Sequence, residues 1–212
     1  MRDSTRLRIL LAAEQLFAER GLDGASLREI GAAAGQRNNS AVQYHFGDRD
    51  ALVRALYELR LEPLNLRRTE LVDVLVREGR ESDLVALVDA YARPLFEVAD
   101  GSSWYARFVA RHVGLGSTVE LDPPLDARYT SALHTVTDLL RRATAPLPAA
   151  LRTERTRRMQ LYVTAAIADV ETRRARGEPL AVGADASLRD LVATAAVMLA
   201  VEAPVRPTRA TR

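Results

Sequence analysis

GQRNNSAVQYHFGDRDAL, residues 35–52, decides how the chain is read. Two asparagines, a serine, a glutamine, a tyrosine and a histidine crowd into residues 38–45, shortly after Gly35 and just before Phe46. The cluster is too polar to be core and too short to be a tail. Val42 and Phe46 stand four residues apart, which puts both on one side of a helix over about residues 39–45. They would anchor that helix and leave the polar groups outside.

The flanks supply its setting. Ser26-Leu27-Arg28-Glu29 is a capping box, in which serine and glutamate each satisfy a backbone N–H. It opens a short helix that Gly35 ends. Before it, about residues 4–20 form a longer helix with Leu7, Leu10, Leu11 and Phe17 on its apolar side and Gly21 as its left-handed cap. After it, Asp48 caps a fourth helix to about residue 61. Two short helices joined by a glycine-containing turn and backed by a longer one make a helix-turn-helix. The second helix of that motif fits the DNA major groove, about 12 Å wide.

Arg37, Asn38, Asn39, Ser40, Gln43, Tyr44 and His45 fall on its outer side and start. Asparagine and glutamine pair with adenine through two hydrogen bonds, arginine pairs with guanine, and tyrosine and serine suit phosphates. Ser26 and Arg28, at the start of the preceding helix, are further candidates. Ser26 also serves as a cap, Arg28 also suits a solvated face, and His45 also suits packing against the fourth helix.

Composition bounds the rest. The 212 residues, 48% hydrophobic and 27% charged, suit a water-soluble chain with a large core. The absence of cysteine excludes disulfides and thiolate metal sites. The N-terminus has no signal-like apolar run, and no window approaches the roughly 18 apolar residues of a membrane span. A cytoplasmic protein without membrane partner, cofactor or metal is expected. Net charge is only +2, and residues 1–62 hold nine arginines against nine acids, so charge alone does not signal DNA. All thirty basic residues are arginine, which reads as codon bias.

The remaining chain is helical in pattern, with no sustained strand alternation. Pro63 suits the first turn of a fifth helix closed by Gly79. Others follow at about residues 83–98, kinked near Arg93 by Pro94, and at about 103–115, 124–144, 148–176 and 186–202. The fold class is therefore all-α with nine to ten helices. Residues 1–50 form the helix-turn-helix domain and the fourth helix, about 48–61, is a connector. Residues 51–203 form a helical body, expected to hold dimerisation and any effector site, and 204–212 a disordered tail.

ILLAAEQLFAERG, ASLREIGAAAG and YHFGDRDALVRAL, within about residues 6–56, resemble the tetracycline-repressor (TetR) family of bacterial transcription regulators. The resemblance implies a ligand-responsive homodimeric repressor, and gives Arg49, at the start of the fourth helix, a phosphate-binding role. The turn here is one residue longer than the commonest family spacing, and Gln43 and His45 stand where many members have tyrosines. Reading by dimers needs half-sites roughly 34 Å apart on a pseudo-palindromic double-stranded operator. The last two helices offer Met159, Val163, Ala166, Val170, Leu188, Leu191, Val192, Ala195 and Leu199 to a four-helix dimer interface. A pocket for an apolar or aromatic effector is expected among Tyr91, Arg93, Phe96, Trp104, Phe108, Arg111, His112, Tyr129, His134 and Tyr162. Such stripes also serve as plain core. A regulator without small-molecule effector stays open, and more remotely an enzyme with His112 or His134 as base, although no nucleophile motif or phosphate-cradling loop is present.

Overall fold

The computed structural model describes residues 2–36, 38, 40–114 and 125–202, and the described residues form nine helices and no strand. They are α1 (Arg2–Arg20), α2 (Leu27–Ala33), α3 (Ala41–Phe46), α4 (Arg49–Arg77), α5 (Leu84–Val98), α6 (Tyr105–Gly114), α7 (Ala127–Ala143), α8 (Ala149–Ala175) and α9 (Ala184–Ala200). The all-α class holds. None of these helices is long and apolar enough to cross a membrane. The loop before residue 125 and the tail from 203 lie outside the described residues.

One helix differs from the sequence expectation. In place of two helices meeting at Pro63, α4 runs unbroken through it. Pro63 is exposed, while Leu56 on one side and Leu64, Asn65 and Arg68 on the other are buried. Proline removes one ladder bond, at a cost of about 3 kcal/mol. Burial on both sides outweighs that loss, and water can take the carbonyl the proline leaves unpaired. Likewise α5 continues through the buried Pro94.

The helices share one continuous core. It runs from Ile9, Leu10, Phe17 and Ile30 through Leu56, Leu87 and Phe108 to Met159, Ile167 and Leu199. α6 packs on both α8 and α1, α4 lies against α5 and α7, and α9 rests on α5 and α8. The Phe17 ring on α1 sits 6.3 Å from that of Phe108 on α6, so the first helix is keyed into the body. Next to it lies a buried charge. Glu14, 1% exposed, accepts bonds from Arg60 Nε at 2.5 Å and Nη2 at 2.8 Å, and from the Trp104 backbone N–H at 2.9 Å.

Removing one member of such a pair strands the other charge. Glu14→Ala should lower the unfolding free energy by about 3–5 kcal/mol. The same change at the exposed Glu19 should stay within about 0.5 kcal/mol. Urea titration of both variants measures the difference.

Candidate nucleic-acid interface

The two short helices are held together from inside. Ile30 of α2 is fully buried, and Val42 of α3, 1% exposed, packs over Gly31. A Cβ added at Gly31 would stand 3.4 Å from Val42 Cγ2, an ordinary contact, so the two helices meet here at normal packing distance. The N-terminus of α2 is fixed by the box read from sequence. The Glu29 N–H donates to Ser26 Oγ at 3.2 Å, and the Ser26 N–H donates to Glu29 Oε2 at 2.8 Å. Bonds from the Ser26 backbone and hydroxyl hold the Glu29 carboxyl below its usual range, and Arg20, at 3.0 Å, adds to this.

Ahead of α3, Asn38 Oδ1 accepts from the Ser40 N–H at 3.0 Å and its hydroxyl at 2.7 Å. The helix that follows turns Gln43 and Tyr44 outward, and Tyr44 is 70% exposed. His45 is half-buried, its ring edge-on to Tyr44 at 5.2 Å. Phe46 is packed against the core, with the Arg6 guanidinium 5.0 Å from its ring centre. Gly47, at φ +83°, ends α3 in a conformation that other residues rarely adopt. Asp48 Oδ1 then caps α4 by accepting from the Ala51 N–H at 2.8 Å.

The structure leaves Ser26, Arg28, Asn38, Ser40, Gln43 and Tyr44 exposed on and just ahead of α2 and α3. Arg28 has no partner among the described residues. Arg37 and Asn39 lie outside them. Arg49 is partly buried, and its guanidinium turns back to the carbonyl of Leu22, tying α4 to the α1–α2 turn. An exposed polar edge on a rigid helix, backed by apolar anchors, can enter a groove without rearranging.

The pocket residues expected from sequence are engaged at several places in the fold. Phe108 and the buried His112 belong to an aromatic core with Phe17, Tyr57 and Tyr105, and His112 Nδ1–H donates to the Phe108 carbonyl at 2.6 Å. Arg93 is paired with Asp89 at 2.7 Å, Arg111 lies against Gly21, and His134 is exposed. Trp104 lies under Arg107, whose guanidinium is 3.6 Å from the ring centre. Phe96 is buried beneath Arg174, Tyr129 is buried beside Arg128, and Tyr91 and Tyr162 are half-buried. A pocket of about 460 Å³ lies instead between α4, α5 and α9, and none of the ten residues lines it.

The expected dimer residues are divided between the chain's own core and its margin. Met159, Val163, Leu188, Leu191, Val192, Ala195 and Leu199 are buried within the single chain, and Ala166 and Val170 are partly buried against its core. The body uses those apolar faces to pack α8 and α9 on α5 and α6. The outward face carries Ala165 on α8 and Ala193, Thr194 and Val197 on α9, with Val197 62% exposed. Sequence reading also missed Glu14. It lies within the apolar stripe of α1, between Ala13 and Phe17, and that placement was the available signal.

The Glu29 carboxyl is depressed on folding, so it stabilises above its unfolded value near 4.5 and that contribution is lost as pH falls through the folded one. Ser26→Ala should therefore lower the melting temperature at neutral pH. It should also shrink the loss of stability between pH 5 and pH 3, which melting curves across that range would measure.

Residues 9–56 match the family described as bacterial regulatory proteins, tetR family. Over 92 residues the chain is 33% identical to the HTH-type transcriptional regulator SrpR of Pseudomonas putida, covering 43% of this chain and 42% of that protein. Over 90 residues it is 33% identical to TtgW, also of Pseudomonas putida and described as an uncharacterized HTH-type transcriptional regulator, covering 42% and 65%. The chain thus spans about half the length of the curated relatives it matches. The fold extends further: a crystal structure of an HlyIIR mutant protein superposes with a TM-score of 0.57 at 14% identity, over 95% of this chain and 98% of that one. Residues 9–56 thus carry the sequence match to the tetR family of bacterial regulatory proteins, and beyond them the likeness to known proteins is one of fold.

Proposed function

We propose that the chain is a sequence-specific transcription regulator whose α3 enters the major groove of an operator. The observation that carries this reading is the exposed edge of Gln43 and Tyr44 on a helix anchored by Val42. Gln43 is placed to read a base, while Tyr44, Ser40, Asn38, Ser26 and Arg28 are placed to hold phosphates. In this reading residues 1–50 form the DNA-binding domain, α4 connects it, and the body to residue 203 carries dimerisation and effector binding.

The regulator acts as a homodimer. One reading head covers one half-site, and two must stand roughly 34 Å apart to engage successive turns on one side of the duplex. The outward faces of α8 and α9, with Ala165, Ala193, Thr194 and Val197, would pack with their copies as four helices. The action is repression relieved by an organic ligand. A ligand that prefers a different spacing of the heads weakens operator binding by its differential affinity for the two states. A preference of about 2.7 kcal/mol gives a hundredfold loss.

Titration of labelled DNA from upstream of the gene, at several salt concentrations, tests the DNA part. Gln43→Ala should weaken binding by about 1–3 kcal/mol and blur sequence discrimination. Tyr44→Ala should weaken binding to all sequences alike. Neither should move the unfolding midpoint, since both side chains are exposed. If the doubly substituted chain binds the DNA as the parent does, the reading is wrong. Val197→Asp should turn a sedimenting dimer into a monomer of unchanged melting temperature, and a dimer that survives it would place the interface elsewhere.

A further inference from the structure

The pocket of about 460 Å³ between α4, α5 and α9 is of a size that suits a small organic molecule. Three helices line it: α4 through Leu71 and Val74, α5 through Val85 and Ala86, and α9 through Arg189 and Val192. The last two stand three residues apart and so share a helix face. Val74 is 37% exposed and Val85 53%, so two of the three helices present apolar surface to open space here. Covering such surface is favourable.

Three charged side chains stand on the wall, and two of them are engaged. Arg80 pairs with Glu78 at 3.0 Å and with Asp83 at 2.9 Å. Asp89 accepts two bonds from Arg93, both at 2.7 Å, one on each oxygen. Arg189 alone has neither an ion pair nor a side-chain hydrogen bond among the described residues, and it is exposed. Asp185 and Asp190, its acidic neighbours on α9, are exposed and make no ion pair with it there. The buried Arg68 of α4 does not line the pocket.

That difference decides what can fill the space. A molecule lying on the wall removes water from the polar groups it covers. Arg80 and Asp89 keep their protein partners when this happens. Arg189 has only water to lose, so it is left unsatisfied unless the occupant brings an acceptor. A neutral apolar molecule leaves the guanidinium bare, and a cation is repelled by it. A carboxylate meets it through two parallel, charge-assisted bonds.

We infer that this pocket takes an apolar organic acid whose carboxylate is held by Arg189 and whose hydrocarbon part lies along Leu71, Ala86 and Val192. The inference rests on the effector reading proposed above and gives that effector a chemical class and a place. Arg189 stands four and eight residues before Ala193 and Val197 on the outward strip of α9. The acid therefore sits beside the proposed contact between copies, where it bears on the spacing of the reading heads.

The test is calorimetric titration of the full-length chain without DNA. The probes are 4-phenylbutyrate, its primary amide and 4-phenylbutylamine, which share one hydrocarbon part and differ in charge. The acid should bind and raise the melting temperature by several degrees, and the amide should bind about tenfold more weakly. The amine should bind more weakly still. Arg189→Gln should melt and sediment as the parent does, since the side chain is exposed, and should bind the acid no better than the amide. Arg189→Glu should reverse the preference and take the amine over the acid. Ala86→Leu, which fills the pocket and leaves Arg189 in place, should abolish binding of the acid. The inference is overturned if the parent binds the acid no better than the amide, or if Arg189→Gln or Ala86→Leu binds the acid as the parent does. It is also overturned if Arg189→Gln sediments as a smaller species, since the arginine would then serve the contact between copies. Upstream-DNA binding by the parent is measured separately, so failure of the acid site and failure of the regulator reading give different results.

Discussion

The start of α6 is the point on which the arrangement of the molecule depends. A helix begins with four backbone N–H groups that have no partner inside it. Here each one is met. The Trp104 N–H donates to Glu14 of α1 at 2.9 Å, the Tyr105 N–H to Ser103 Oγ at 3.1 Å, and those of Ala106 and Arg107 to Glu171 of α8 at 3.2 and 3.0 Å. The two carboxylates sit at the positive end of the helix, which favours their charge. Arg60 and Arg107 neutralise them from the side, at 2.5 and 2.9 Å. Burial pushes the Glu171 carboxyl up, while Arg107 and the two N–H groups pull against that. One carboxylate comes from the unit that presents α3 and the other from the body. The angle between the two is therefore set by charge-assisted hydrogen bonds as well as by apolar contact.

This constraint bears on how a ligand could act. The pocket touches the second half of α4, whose first half is tied at two places to α1 and its turn, through Arg60 to Glu14 and through Arg49 to the Leu22 carbonyl. Because α4 is one helix through Pro63, a displacement near Leu71 is carried along a rigid element and not absorbed at a joint. Had the two-helix reading of residues 48–79 been right, a hinge would separate pocket from reading head. Continuity across the proline is thus the physical basis for coupling in the proposed function.

Sequence patterns made the reading unit legible because its signals are local. A capping box needs only Ser26 and Glu29, and the rod of α3 needs only Val42 and Phe46 at the right interval. The body was harder because its assignments are competitive. Leu188, Val192, Ala195 and Leu199 have the spacing of an interface face, and the same spacing serves the chain's own core, which takes them first. What remains for a partner is the less apolar strip of alanine, threonine and valine next to it, which no periodicity singles out. The aromatic stripe of α6 went the same way, with Phe108 filling the gap between Phe17, Tyr57 and Tyr105. Arg68 was hidden by company, one arginine among thirty, with nothing in its neighbours to mark it as buried.

That uniform use of arginine also has a structural side. Read as codon bias it carries no function, yet the fold exploits the planar fork that lysine lacks. Arg155 closes the end of α9 on three carbonyls, and Arg174 closes the end of α5 on the carbonyls of Phe96 and Ala99 while covering the Phe96 ring. Each does the work of a helix C-cap from a neighbouring helix, meeting carbonyls that would otherwise be orphaned. Charges spent inside in this way are unavailable to attract DNA. The small net charge of +2 is therefore a poor guide to any nucleic-acid surface, and the local arrangement around α3 has to carry that argument alone.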